Sequence, residues 1–334
     1  MFERRERRLH GARVRCWFTI AMLIVLTVTA LGVVVRVPGT VAAGASSAAV
    51  EIQDATGTKM VPTTAPRRIV ALAPSVTEML YALGLGPQVV GVAAFSDYPP
   101  EAKEKPVVGD AFAINYEALL ALRPELVIAD ENLQAKAIQE LRRLGVSVFV
   151  VAPHSLEEVL ATLTTLGRLT GREAEARQLV AGLEQRIAAV REKTAKLPAS
   201  RRPRVFVEIW NDPLMTAGPG SFIDELIGLA GGQNIAAGTG QAWPQVNPEW
   251  VVAQNPEVLI LTLRNRQEVV KRPGWSALAA VRQDRVYEVV PDPLVRTGPR
   301  LVDGLEQLAR LLHPELFGDG NAPPAQGRAK GTNP

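Results

Sequence analysis

The sequence predicts an α/β protein built as a clamshell: two similar lobes, each a parallel-sheet sandwich, joined by a long helical connector that permits only a small hinge motion. Three observations predict it. Short apolar runs alternate with helical stretches over residues 67–153 and again over 201–317, and strand–helix alternation implies a mainly parallel sheet covered by helices. Between these regions, Ser155 to Leu197 carries helical periodicity and no strand signal. Finally, "NYEALLALRPELVIAD" at 115–130 matches "NPEWVVAQNPEVLILT" at 247–262 at a constant offset of 132. Asn115/Asn247, Glu117/Glu249, Ala121/Ala253, Pro124/Pro256, Glu125/Glu257 and Ile128/Ile260 are identical pairs. So many identities at one offset favour duplication over two unrelated helix–turn–strand units.

The chain of 334 residues opens on seven arginines (4, 5, 7, 8, 13, 15 and 36) against Glu3 and Glu6, and on twenty uncharged residues from Cys16 to Val35. Basic residues ahead of an apolar run hold the N-terminus in the cytoplasm and send the rest of the chain outward. Residues 1–43 therefore read as an export leader. It is either a signal peptide cut near Ala42 and Ala43 or a retained membrane anchor, since about 20 apolar residues span a bilayer. Residues 44–66 give a small-residue linker and a short hairpin turning at Thr56-Gly57.

In the N-terminal lobe, 67–153, strands are expected at Ile69–Ala73, Val89–Ala93, Leu126–Ala129 and Val146–Val151. Helices are expected at Thr77–Leu83, Tyr116–Leu122 and Leu133–Leu144, the first opened by a capping box of Ser75 and Glu78. The connector, 154–200, places Leu156, Val159, Leu160, Leu163, Leu166 and Leu169 on one helical face. It reads as two helices with capping boxes at Ser155/Glu158 and Thr170/Glu173, broken near Gly171 and stopped at Pro198. The strand pattern resumes at Arg204–Trp210 in the C-terminal lobe, 201–317. Residues 318–334, rich in glycine, proline and small polar residues, read as a disordered tail.

Composition excludes several functions. Hydrophobic residues make up 47% and charged residues 21%, ordinary for a globular chain with ample core. The formal charge of +3 is owed to the leader, which carries +5 and leaves −2 downstream, so no nucleic-acid footprint is present. The only cysteine, Cys16, precedes the apolar run. A lipid-bearing cysteine would come after such a run, and the exported part has no disulfide. The three histidines, His10, His154 and His313, are isolated. No H-E-x-x-H, C-x-x-C, G-x-S-x-G or phosphate-binding loop occurs, so no catalytic residue, resident metal or cofactor is expected.

Polar and aromatic residues gather instead in loops at strand ends: "LAPSVTEML" at 72–80, "FSDYPPE" at 95–101, "NDPLMTAGPGS" at 211–221, "QAWPQVNPE" at 241–249 and "PDPLVRTGPR" at 291–300. Proline-stiffened aromatic loops suit a large, flat, partly apolar ligand held in a cleft between lobes. These loops, together with "PRRIVALAPSVTEMLYALGLG" and "NYEALLALRPELVIA", resemble the periplasmic cobalamin-binding proteins of vitamin importers. More broadly they resemble the class of solute-binding proteins for cobalamin, ferric siderophores and haem. The resemblance covers about residues 51–317.

It implies an extracytoplasmic, monomeric, non-enzymatic protein that captures a metal-chelate ligand and delivers it to the permease dimer of an ABC transporter. "SDYPP" with "WPQV" leans toward cobalamin or a related corrinoid; a ferric siderophore or haem is the alternative within the class. An exported α/β hydrolase, the alternative from another class, lacks a nucleophile–base constellation. Carried over by position, the resemblance places Tyr98 and Trp243 against the ligand, Pro74 and Ser75 at the cleft floor, and Asp292 and Arg296 on the ligand's polar periphery. Where cobalamin proteins carry a tryptophan before the "N-x-E" helix, this chain has Phe112. It also implies that Glu117 and Glu249 dock onto arginines of the two permease subunits. From the residues alone, ordinary loop packing explains the two aromatics, and a first-turn carboxylate is equally explained by the helix dipole.

Overall fold

The structure is a computed structural model and describes residues 51–318 except 112 and 264. The leader, most of the linker, Phe112 and the tail from 319 lie outside the described residues. In chain order the elements are β1 (Ile52–Gln53), β2 (Lys59–Met60), β3 (Ile69–Ala71), α1 (Pro74–Ala82), β4 (Val89–Val92), α2 (Tyr116–Ala121), β5 (Leu126–Asp130), α3 (Glu131–Arg143) and β6 (Val148–Val151). Next are two long helices, α4 (Leu156–Thr170) and α5 (Glu173–Thr194). Then come β7 (Arg204–Glu208), β8 (Trp210–Asn211), β9 (Leu214–Met215), α6 (Phe222–Leu229), β10 (Gln233–Asn234), α7 (Pro248–Gln254), β11 (Val258–Leu261) and the short helices α8 (Arg266–Val269) and α9 (Ala279–Arg282). The chain closes on β12 (Val286–Glu288), α10 (Asp292–Val295), α11 (Leu301–Leu312) and α12 (Pro314–Phe317).

Each lobe holds one four-stranded parallel sheet, ordered β4-β3-β5-β6 in the first and β10-β7-β11-β12 in the second. The order is the same in both, each lobe's second strand lying outside its first. Local detail repeats as well. Asn115 and Asn247 cap α2 and α7 by accepting from the backbone N–H three residues on, at 2.9 and 2.7 Å. Both helices end in a left-handed residue before proline, Arg123 at φ +46° and Asn255 at φ +44°. Glu125 and Glu257 each accept a backbone N–H from the start of the neighbouring strand, Arg67 at 2.6 Å and Arg204 at 2.9 Å. All three pairs keep the offset of 132, which gives the duplication a three-dimensional counterpart.

The inner strands β3, β5, β7 and β11 are buried on both faces, as parallel strands covered by helices must be. One face of each sheet packs in a private core: Val70, Val127 and Val148 against Leu119, Ile138 and Leu141 in the first lobe, Phe206, Leu259 and Val286 against Val251 and Trp275 in the second. The other faces meet in a common core. Ile69, Ile128 and Phe149 of one sheet and Val205, Val207 and Ile260 of the other belong to a single cluster with Leu156, Val159, Leu163, Leu166 and Leu169 of α4. One face of α4 is therefore shared by both lobes, while α5 buries only Ala176, Leu183, Val190 and Thr194. Ser155 caps α4 through the N–H of Glu158, and Glu225 of α6 accepts from Leu156 N at 2.9 Å, so a helix of the second lobe helps close its N-terminus. Asp54, buried in the β1–β2 hairpin, pairs with Arg142 of α3 at 2.6 Å and docks the hairpin on the first lobe.

Two capping assignments are corrected. The first helix begins at Pro74, not after Ser75; its N-cap is Ala73 and no side chain caps it. Proline suits the first helical position because its missing N–H has no partner there anyway, and this frees Glu78 for other work. Likewise Thr170 closes α4, donating its hydroxyl to Leu166 O at 2.6 Å, and the N-cap of α5 is Arg172. Gly171 makes the break at φ +70°, a left-handed conformation that glycine adopts at no steric cost.

A connector packed into a core common to both sheets makes wide opening costly, because that core would have to part. The radius of gyration measured by small-angle scattering is expected to be the same with and without bound ligand. A marked fall on ligand addition would count against a stiff connector.

Candidate functional site

Loops at the carboxyl ends of parallel strands are where open α/β sheets bind ligands, and here the two lobes also touch through them. Glu78, in the second turn of α1, is buried, its side chain only 1% exposed. It is held from the other lobe. Arg300 donates from Nε to Oε2 at 3.0 Å and from Nη2 to Oε1 at 2.6 Å, and Arg296 donates from Nη1 to Oε1 at 3.2 Å. Arg296 also donates from Nη1 to Asp97 Oδ1 at 2.9 Å and from Nη2 to the carbonyl of Phe95 at 3.1 Å, both in the loop after β4. Asp292 completes the group, 3.1 Å from Arg296 and 3.4 Å from Arg300. The backbone approaches closely too. A Cβ on Gly298 would lie 3.1 Å from Glu78 Oε2, so the second lobe's segment 296–300 rests directly on the start of α1.

The charges shape one another. Burial opposes ionisation of Asp97, but the hydrogen bond and charge of Arg296 prevail and hold its carboxyl below the usual value. Burial likewise opposes the charge on Arg300, and Glu78 with Asp292 outweighs it and pushes the guanidinium up. The Arg300 guanidinium also sits 3.9 Å from the centre of the Tyr98 ring, a cation–π contact that orients the tyrosine. Phe95 is 78% exposed with φ +64°. Left-handed backbone is uncommon for a bulky residue; here the Arg296 bond to the Phe95 carbonyl helps hold it.

A second aromatic group lies on the second lobe. Trp243, partly exposed, packs edge-on against Phe222 at 5.4 Å. Its loop is tied to the segment after β7 by hydrogen bonds from Gly218 N to Ala242 O, Thr216 N to Pro244 O and Val246 N to Leu214 O. Trp210 stands opposite Met215 in the β8–β9 ribbon, and Met215 bridges to Gln245. Directly opposed residues share a face, so Trp210, Met215 and Gln245 line one side of this small sheet. The indole N–H of Trp210 donates to Asp212 O at 2.9 Å, which holds the exposed ring in place.

The structure thus gathers Tyr98, Asp292 and Arg296 around Glu78. Pro74 and Ser75 form the first turn of α1, on which that cluster rests, and Ser75 is buried. Phe112 lies outside the described residues. Glu117 and Glu249 are exposed in the first turns of α2 and α7, with no partner among the described residues. No group of three or more His, Cys, Asp or Glu among the described residues is placed to hold a metal ion. His313 is buried against Gly231 O and Glu315, a packing role. An open groove of about 590 Å³ between α4, α5 and α6 is lined by none of the site residues.

Sequence reasoning missed Glu78 as an interlobe partner, together with Arg300, Phe95 and Trp210. "PSVTE" imitates a capping box and so hid Glu78. Phe95 and Arg300 stood inside loops already singled out, and Trp210 closes a run read as a strand.

A profile described as periplasmic binding protein matches residues 69–293. The chain belongs to that family. An uncharacterised ABC transporter substrate-binding lipoprotein of Bacillus subtilis (strain 168) is 37% identical over 274 residues, 80% of this chain and 87% of that one. The crystal structure of the periplasmic vitamin B12 binding protein of Vibrio cholerae superposes with a TM-score of 0.67 at 31% identity, over 74% of this chain and 96% of that one. The apo periplasmic haem-binding protein of Roseiflexus sp. RS-1 gives 0.67 at 32%, over 74% and 98%. This is therefore an extracytoplasmic solute-binding protein of an ABC transporter, of the cobalamin, siderophore and haem class, and not an enzyme. Among the described residues, no helix is long and apolar enough to cross a membrane.

In this binding protein the Glu78 cluster is the polar junction between lobes. Replacing Glu78 by alanine takes from Arg300, 14% exposed, its two shortest bonds and leaves it Asp292 at 3.4 Å, while Arg296 keeps Asp97, Asp292 and the Phe95 carbonyl. With Asp97 and Asp292 left to the arginines, the loss is that of buried donors deprived of their acceptor, about 1–3 kcal/mol, and urea denaturation of Glu78→Ala is expected to show a loss of that order. Stability equal to the parent's would mean that the cluster contributes nothing.

Proposed function

We propose that this protein captures cobalamin or a related corrinoid between its lobes and delivers it to the permease dimer of an ABC importer. The observation that carries the reading is the set of exposed aromatic side chains on strand-end loops of both lobes, Phe95 and Tyr98 on one and Trp210 and Trp243 on the other. Soluble proteins seldom leave so many large rings open without a use, and flat rings give contact area to a flat macrocycle at little entropic cost. Relatives of nearly equal similarity are named for vitamin B12 and for haem, so the choice rests on the loops. "SDYPP" and "WPQV" favour the corrinoid. The common core favours a cleft that closes little around it.

Calorimetry with cyanocobalamin, haem and ferric siderophores tests the reading. Cyanocobalamin is expected to bind, and Tyr98→Ala, Trp243→Ala and Phe95→Ala each to weaken it by about 1–3 kcal/mol, as truncating a well-packed aromatic anchor does. Absence of heat with every corrinoid would overturn the ligand.

Delivery is assigned to Glu117 and Glu249. They occupy equivalent first-turn positions, one per lobe, exposed and unpaired among the described residues, which suits charge-assisted bonds to arginines on two permease subunits. Glu117→Ala and Glu249→Ala are expected to bind ligand normally and to transport poorly in a cellular uptake assay, the double variant worst. Charge reversal to lysine should be more damaging still. Normal uptake by the double alanine variant would return both residues to a helix-dipole role.

A further inference from the structure

We infer that the cleft selects its ligand by the chemistry of the rim: it takes a chelate edged with N–H donors, as primary amides are, and rejects the same chelate edged with carboxylates. The inference rests on the corrinoid reading and narrows it.

Most donors of the polar cluster are already committed. Arg296 meets two acceptors with Nη1, Glu78 and Asp97, and two with Nη2, the Phe95 carbonyl and Asp292. Arg300 gives Nε and Nη2 to Glu78, with Asp292 also beside Nη2, and its flat face to Tyr98. A guanidinium has five N–H groups and no acceptor; seven of the ten N–H groups in the pair are committed, and Arg296 Nε and Arg300 Nη1 are left without an acceptor among the described residues. Acceptors are in surplus. Each carboxylate offers about four lone-pair sites, and the members that face solvent are the acids: Asp97 is 47% and Asp292 23% exposed, whereas both arginines are 14%. Two guanidinium charges stand against three carboxylates, leaving the cluster at −1. Lys103 acts on Asp97 only through its charge, from the exposed turn after the loop.

An incoming carboxylate therefore meets carboxylate oxygens. To reach Nη1 or Nη2 of Arg296 it must displace Asp97 or the Phe95 carbonyl, and Asp97 stays beside it as a like charge. An amide meets the same oxygens with two N–H donors and brings no charge. Ligand identity would thus be read partly by donor–acceptor matching and partly by repulsion, the second of which sharpens specificity without adding affinity.

Calorimetry at neutral pH and moderate salt separates the outcomes, using cyanocobalamin, whose periphery is amidated, and the heptacarboxylate of cobyrinic acid as its dicyano form. Dicyanocobinamide, amidated but lacking the nucleotide, controls for the missing base. The two amidated corrinoids are expected to bind, and the heptacarboxylate to bind at least about tenfold more weakly than dicyanocobinamide. Asp97→Asn removes a charge and adds donors at an exposed position. It should narrow that gap several-fold while staying folded with a small fall in melting temperature, since it loses the charge that Arg296 faces. Binding of the heptacarboxylate as tightly as dicyanocobinamide, or an unchanged gap in a folded Asp97→Asn, would overturn the inference and leave the corrinoid reading standing. Silence toward all three corrinoids would instead overturn the corrinoid reading itself.

Discussion

Glu78 is a carboxylate with almost no access to water, and it survives there only because the other lobe brings two guanidinium groups to it. An isolated buried charge would cost more than the fold can bear. The requirement runs outward from that oxygen pair. Arg296 and Arg300 must lie beside α1, so the segment 292–300 must cross from its own lobe, and Gly298 lies where a side chain would crowd Glu78. With Arg296 in place, its remaining bonds hold Asp97 and the left-handed Phe95; with Arg300 in place, Tyr98 has a cation to face. The aromatic rim on the first lobe is thus positioned from the second.

The apolar side of the junction is the core around α4. Apolar packing is non-directional and sets how near the lobes come. The ion cluster is directional and sets their register. Neither is sufficient alone: a common core with no polar junction would let the strand-end loops settle variably, and the cluster without the core would be exposed and screened.

Most of the architecture was legible because it arises from periodicity. The strand–helix alternation of the two lobes, the four strands of the first, the helical pair and the break at Gly171 are set by apolar spacing and by a glycine, signals that depend on near neighbours in the chain. The repeat of offset 132 was legible from matching letters, and its Asn115 and Asn247 caps stand where the alignment put them; the Glu125 and Glu257 contacts are seen only in the structure. The Glu78 cluster was not legible. Its partners lie 218 and 222 residues away, and a Ser–x–x–Glu spacing at a helix start gives the same letters whether the glutamate turns back to a cap or inward to an arginine. Only the proline ahead of it decided the matter, by taking the first helical position.

Duplication also explains why the two kinds of surface differ in symmetry. In α2 and α7 the copies have stayed alike, down to the asparagine cap, the first-turn glutamate and the left-handed residue before proline. At the strand ends they have diverged. By strand register Leu72 corresponds to Glu208, yet Leu72 packs in the first lobe's private core while Glu208 is buried in a two-pronged pair with Arg272. On the proposed function, a permease dimer presents nearly the same surface twice, so matched docking groups on both lobes would serve it, and a change in either copy would unbalance the fit. A metal chelate held between the lobes meets each lobe with a different edge and gains nothing from sameness. On the proposed function, the helices that stayed alike are the delivery surface and the loops that diverged are the capture surface. The fold keeps them apart because one is set by local capping and the other by contacts across the cleft.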